Sequence, residues 1–453
     1  MRKIILKIDR KHSALENAEI ILGQGKQQAI FILLFAVLYL FRDLAGANIP
    51  DILFSGLCAV AFIVMDAGTS LGVYIFTTAL TVPHNEIVLF YTIILLAKTF
   101  FSASVKLNGR MVIMTLGVLF LQMLNMTIYS MRSIENMAYE YITRMLIITI
   151  PLYWFNEEYT ADDFRCALMC YVAGTILGGA VALLLTADLI TWEALLKGTG
   201  GVRLGKTYNT EEGMQTSYNA NQLAVMFAVS ASILLQHIDK KRISKLVGYA
   251  LLGYSFFLVF LTRSRTGLLL SALIVIIYYL ILVIRRKKLF GGLLLLGLIG
   301  ALAYAVLRFF PGVWEAALAR FTDQEDITNG RVVIFEYYIR RWVETPWCFF
   351  FGYGIGSFFD ELGIKTAPHN SIADILISWG LVGFIIIAGM LGMCFKQGAK
   401  SVDKKDRAIA LLPAMIALIA SMAAQYLDTG YPHPRLCFLL LATQAFAKEN
   451  EPI

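Results

Sequence analysis

Residues 246–284 read LVGYALLGYSFFLVFLTRSRTGLLLSALIVIIYYLILVI. Two apolar runs, 246–262 and 266–284, close around a turn that holds Arg263 and Arg265. Each run approaches the roughly 20 residues that a helix needs to cross the hydrocarbon core of a bilayer. The pattern therefore predicts two membrane helices joined by a very short polar turn, and the rest of the chain repeats that pattern.

Further apolar runs lie at 29–41, 50–65, 69–82, 87–101, 111–130, 139–155, 164–186, 220–237, 289–309, 372–395, 408–427 and 434–447. The expectation is an all-α polytopic membrane protein with about fourteen transmembrane helices. Of the 453 residues, 58% are hydrophobic, and the mean hydropathy is +0.68. A soluble protein is excluded. The net charge of +7 would suggest nucleic acid in a soluble domain. Here it sits in Lys240-Lys-Arg242, Arg285-Arg-Lys-Lys288 and Lys396–Arg407, which alternation from a cytoplasmic N-terminus places on one side. That is the positive-inside bias, so no nucleic-acid partner is expected.

The expected organisation is a cytoplasmic tail over 1–28, a single membrane domain over 29–447 and a cytoplasmic tail over 448–453. Two long extracytoplasmic loops are expected, at 186–219 and 310–371, the second containing short helices. Five of the six cysteines, Cys58, Cys166, Cys170, Cys394 and Cys437, fall in apolar segments and only Cys348 does not. Neither a zinc site nor a disulfide framework is expected.

The long polar stretch Thr328–Gly383 is where chemistry is expected. In it an Asn-Gly turn presents Arg331, a short aromatic amphipathic helix follows, and Gly352-Tyr-Gly-Ile-Gly356 precedes Pro368-His369-Asn370. Arg265 reads either as a snorkelling residue or as an anion ligand. Two arginines outside, Arg263 and Arg265, oppose the positive-inside trend, and a planar guanidinium suits bidentate phosphate binding. Arg331 opens a helix, where an anion would feel dipole and guanidinium together; the other reading pairs it with Glu336 or Asp326. His369 is either part of a turn or a base kept neutral by neighbouring cations. Asn370 or Ser371 caps the helix that follows. Asp374 either orients the site or answers the helix dipole.

Other candidates stay open. His84 and His433 are alternative bases, and Arg144 is either paired with Glu140 one turn away or a ligand facing the cavity. Asp323-Gln-Glu-Asp326 reads as a solvated loop rather than a metal site. The run Gly352–Gly356 lacks a following Gly-Lys-Ser/Thr and reads as tight backbone packing.

Taken in order, the motifs resemble one family. They are Tyr218-Asn-Ala-Asn-Gln-Leu-Ala224, Ser264-Arg-Thr-Gly267, Asn329-Gly-Arg331, Phe351-Gly-Tyr-Gly-Ile-Gly-Ser-Phe358, and His369-Asn370 with Gly380 and Gly383. Over about residues 200–395 the chain resembles the O-antigen polymerase and ligase family, membrane glycosyltransferases of the GT-C type. The resemblance implies transfer from a glycan linked through diphosphate to a polyprenol such as undecaprenol, and a single displacement there would invert the anomeric configuration. It implies reaction at the outer face of the bacterial cytoplasmic membrane, with no cofactor, metal or nucleotide sugar. Arg265 and Arg331 would bind the diphosphate and His369 would act on the acceptor hydroxyl. Asn370, Arg263, Asn221, Asp374 and Arg144 would line the substrate. Membrane lipids, a chain-length regulator and a flippase are the expected partners. At Ser378 the chain departs from the family, whose members often carry an acidic residue there.

Overall fold

The apolar runs fold as helices. The computed structural model describes residues 14–80, 109–129, 160–189, 203–205, 220–285, 330–354, 368–424 and 442–445, with scattered helical positions between 287 and 315. We number the helices α1 (Ala14–Asp43), α2 (Asp51–Val64), α3 (Ala67–Leu80), α4 (Gly109–Tyr129), α5 (Ala161–Leu189), α6 (Ala220–Asp239), α7 (Lys245–Thr262) and α8 (Arg265–Leu280). After them come α9 (Arg331–Val343), α10 (Pro346–Phe351), α11 (Ser371–Ser401), α12 (Arg407–Ala410) and α13 (Leu412–Ala424).

Among the described residues, six helices are long and apolar enough to cross a membrane. They are α4, α5, α6, α7, α8 with its π-helical extension, and α11. The segments around Ile52–Ala61 and Leu412–Met422 are apolar but shorter. The runs at 87–101 and 139–155, and most of 434–447, lie outside the described residues, so the expected total of about fourteen is not established. The first helix begins earlier than hydropathy suggests. α1 starts at Ala14, and Gln28 is buried at 8% exposure. Its amide donates to Thr69 O at 3.1 Å and accepts from Cys166 Sγ at 3.2 Å. Polar atoms that satisfy one another in this way let a glutamine enter an apolar bundle.

α6 is the hub, with 89% of its membrane-crossing window buried. It packs against α5, α7, α8 and α13. Its sequence explains why: Ala220, Ala224, Ala228, Ser230, Ala231 and Ser232 keep the helix thin, so neighbours approach closely without any hydrophobic drive between them. One close approach is at Gly267, the third residue of α8. A Cβ built there would lie 2.5 Å from Ala224 Cβ and 3.1 Å from Val259 Cγ1. Gly267→Ala should therefore lose stability, by about 1–3 kcal/mol of overpacking, against at most ~1 kcal/mol regained in helix propensity. Thermal unfolding of the detergent-solubilised protein checks this; an unchanged or raised midpoint would refute the close approach.

Polar contacts define the two ends of the bundle. At one end Lys240 Nζ meets Asp406 Oδ2 at 2.7 Å, Arg242 lies 3.8 Å from Asp162, and Gln236 donates to Ala410 O at 2.6 Å. This end gathers Lys240–Arg242 and the Lys396–Arg407 stretch, as alternation predicted. At the other end stand the C-terminus of α7 and the N-termini of α6, α8 and α11.

Candidate functional site

The α7–α8 turn is as short as two helices allow. Thr262 ends α7, and Arg263 takes left-handed backbone, φ 49°, as its C-cap. Ser264 caps α8, its hydroxyl accepting from Gly267 N at 3.3 Å. The backbone amide of Ser264 in turn donates to Thr262 Oγ1 at 3.2 Å. With every turn residue committed to a cap, Arg265 and Thr266 are fixed at the first positions of α8. Arg263 is buried, Arg265 half-buried and Thr266 buried at 8% exposure. Beside this turn, Leu204 N donates to Leu261 O at 3.0 Å, which brings Arg203 and Leu204 to the same end. Asn221 is half-buried in the first turn of α6.

α9 starts at Arg331 because Gly330 supplies φ 74° as its N-cap, a conformation that glycine adopts without strain. Thr345 caps α10, accepting from Cys348 N at 3.2 Å, and Pro346 occupies the position that needs no amide proton. Trp342 stacks on Phe349 at 4.8 Å and donates Nε1–H to Phe349 O at 3.0 Å. The pair α9–α10 is thereby a braced hairpin of short helices, as the loop was expected to contain.

α11 opens at the same place. Asn370 is its N-cap: Oδ1 accepts from Ile372 N at 2.9 Å and Ala373 N at 3.2 Å. Nδ2 of Asn370 donates to Met422 O at 2.8 Å, tying α11 to the end of α13. Both faces of this amide are engaged within the protein, which suits holding His369 in place more than touching a ligand. His369 itself has φ 53°, in the left-handed region that non-glycine residues seldom adopt. Among the described residues, Arg263 and His369 thus carry the two left-handed side-chain-bearing positions at this end of the bundle.

Three of the expected residues come together. Arg331 Nη1 donates to Thr266 Oγ1 at 3.5 Å, so the guanidinium of α9 lies over the first turn of α8. Burial lowers the Arg331 pKa from its ordinary value, and the charge of Arg265 lowers it further. Burial also lowers the His369 pKa, with a second contribution from the Arg331 charge. Arg265, Arg331 and His369 form a row across α8, α9 and the start of α11, each within electrostatic reach of the next. Deeper along α11, Asp374 is buried at 1% exposure and faces α9. The Tyr338 phenol is pushed up by burial first and by Asp374 second.

Other candidates fall elsewhere. Arg144, His84, His433 and Asp323–Asp326 lie outside the described residues. Arg340 is exposed, and Arg341 pairs with Glu344 at 2.7 Å on the outer face of α9. The described part of the glycine run, Gly352–Gly354, packs backbone to backbone on α11 and makes no anion cradle: Tyr353 N donates to Ile377 O at 2.8 Å and Gly354 N to Ser378 O at 2.7 Å. Sequence reasoning overlooked Thr266 as the partner of Arg331, although it stands between Arg265 and Gly267 in a motif already noticed. It also overlooked Asn125, whose only signal is one amide within an apolar run.

Chemically, two guanidiniums beside a neutral imidazole can hold a dianion next to a proton acceptor. No curated protein and no solved structure matches the chain. Residues 249–388, which carry Arg265, Arg331 and His369, match the family model described as O-antigen ligase, and this match supports kinship with the O-antigen ligase and polymerase family.

Proposed function

We propose that the protein is a membrane glycosyltransferase that polymerises oligosaccharide repeat units linked through diphosphate to undecaprenol. The observation that carries this reading is the row of Arg265, Arg331 and His369 at the end of the bundle opposite its lysine and arginine clusters. By the positive-inside trend, the clustered end faces the cytoplasm and the site opens at the outer leaflet of the bacterial cytoplasmic membrane. A lipid-linked donor would then present its diphosphate at the depth where the two arginines stand.

The transfer is a single displacement. The acceptor hydroxyl oxygen attacks the anomeric carbon, the bond from that carbon to the diphosphate oxygen breaks, and its electron pair stays with the leaving lipid diphosphate. The hydroxyl proton passes to the unprotonated nitrogen of His369. Backside attack inverts the anomeric configuration. Arg265 and Arg331 answer the charge that grows on the departing diphosphate, and a donor of this kind in a dry site is worth about 2.7–4 kcal/mol. The proton transfer to His369 adds roughly 10²–10⁴-fold. The two guanidiniums take the electrostatic part that a divalent ion takes in other phosphate chemistry.

The second reading, transfer of finished glycan to a lipid or protein acceptor, is favoured by the description of the matching family as O-antigen ligase. The donor chemistry is shared, so the acceptor decides. Purified protein in lipid nanodiscs, given only its undecaprenyl-diphosphate-linked repeat unit, is expected to yield a ladder of longer glycans. Product that forms only after another acceptor is added would replace polymerase with ligase. Absence of glycan transfer under both conditions, with movement of the lipid-linked unit across the bilayer instead, would sink the enzyme reading in favour of a flippase.

A further inference from the structure

α11 is broken ten residues in. Gly380 sits at φ 65°, ψ −167° between helical stretches, so the carbonyls just before it lose their intrahelical donors. In an apolar bundle such groups must be satisfied from elsewhere. The glycine loop after α10 does this, through the amides of Tyr353 and Gly354 described above. The two backbones touch directly: a Cβ on Gly352 would lie 2.5 Å from Ser378 O, and one on Gly380 would lie 2.3 Å from Phe350 C.

A third element enters the same joint. Asn125 is fully buried near the end of α4. Its Nδ2 donates to Phe351 O at 2.6 Å and reaches Ser378 O at 3.4 Å. Gln122, one turn earlier, accepts from Trp379 Nε1 at 2.9 Å. A buried amide inside an apolar helix is costly unless its hydrogen bonds are made; here Nδ2 of Asn125 makes them to both sides of the joint, while its buried Oδ1 makes none. α4 thus stitches α10 to the first half of α11, whose far end carries His369.

We propose that Asn125 is a positioning residue: its side-chain amide clamps the break in α11 against the end of α10 and thereby sets where His369 stands relative to Arg331. The inference rests on the transfer reaction proposed above. The lever is long enough to matter. Residues Ser371–Trp379 rise about 1.5 Å each, so the arm is roughly 13 Å, and a change of about 5° at the break moves its far end by ~1 Å. A misplacement of about that size costs a catalytic step on the order of 10²-fold.

The test uses the full-length protein in nanodiscs with Asn125→Leu, which removes the donor while keeping the branched outline of the side chain, and Asn125→Gln, which keeps one. Asn125→Leu is expected to lower kcat by about 10²-fold, with the KM for the lipid-linked unit unchanged within about twofold. Its hydrogen exchange is expected to rise over 371–379 and to stay unchanged over 381–401. Asn125→Gln is expected to recover part of kcat. The acid limb of kcat in Asn125→Leu should move toward 6.5 as His369 leaves its buried place near Arg331. Asp374, on the same arm, is paired electrostatically with Tyr338 of α9 rather than with His369. A kcat within threefold of the unaltered protein, or a fall in kcat and rise in KM together with exchange raised evenly along α11, overturns the proposal. If Asn125→Leu does not accumulate in membranes, Asn125→Ala, which also removes the donor, is read in its place by the same criteria. Exchange is read without turnover, so the clamp is judged separately from the reaction, whereas an active His369→Ala protein would refute the reaction alone.

Discussion

Arg331→Ala is expected to lower kcat by about 10²–10³-fold, the loss seen when one preorganised donor to a developing oxyanion is removed. The amount of protein in the membrane should not change, because Arg331 contributes no core packing: it is half-buried at the first position of α9. Its guanidinium lies over Thr266 and near Arg265 in a partly dry place, and both burial and the neighbouring cation weigh against its charge. An arrangement that is uncomfortable when empty is one that an arriving dianion relieves. The relief grows as the bond to the anomeric carbon breaks and charge collects on the diphosphate. Arg331→Lys should recover only part of the rate, leaving about tenfold lost, since an ammonium is a point charge without the planar fork that grips two phosphate oxygens. Turnover of the purified variants on the lipid-linked repeat unit, with glycan sizing, measures both. A kcat for Arg331→Ala within threefold of the unaltered protein would remove Arg331 from the site.

Why the arginine row could be read in advance, while the joint beneath it could not, has a physical answer. Hydropathy reports which segments prefer lipid, and it carries the ends of those segments with it. Arg265, Arg331 and His369 are polar groups at helix starts, and alternation of the runs is enough to bring all three to one side. The break at Gly380 lies within an unbroken apolar run, and hydropathy averages over φ and ψ. Gly352–Gly356 could be read as backbone packing, but not what it packs against, because Ser378 is joined to it only through the fold. Asn125 shows the same blindness from the opposite direction. One amide in a 21-residue apolar helix hardly changes the mean hydropathy, yet it bonds to residues more than 200 positions away. Asn370 falls between these cases: its cap on α11 is local and was readable, whereas its bond to Met422 O is not. At the N-terminus, hydropathy placed the first helix from 29, whereas α1 runs from Ala14, and the contacts of Gln28 with Thr69 and Cys166 come only from the fold.

His369→Ala is expected to lower kcat by about 10²–10⁴-fold, the range for losing a positioned general base, and the pH profile of the unaltered protein should show why. Burial, and then the charge of Arg331, lower the pKa of this imidazole from 6.5. A base with a lowered pKa is neutral and ready at pH 7, and activity falls only as the pH drops through a value below 6.5. The sign for stability follows the same direction. The unfolded chain binds this proton more readily than the folded one, so the contribution of His369 to stability is present above about 6.5 and is lost as pH falls through the folded value. Removing the Arg331 charge must then move the acid limb of the residual activity upward. It should not reach 6.5, because burial is the larger of the two causes and Arg331→Ala leaves it in place. This ties the two substitutions together, since one residue is measured through the titration of the other. Groups that serve one transition state are also non-additive, so the double variant Arg331→Ala/His369→Ala should lose less than the product of the two single losses. Single effects that multiply in full, together with an acid limb that Arg331→Ala leaves unmoved, would mean that the guanidinium and the imidazole act in separate places, and the displacement mechanism would then lack its base.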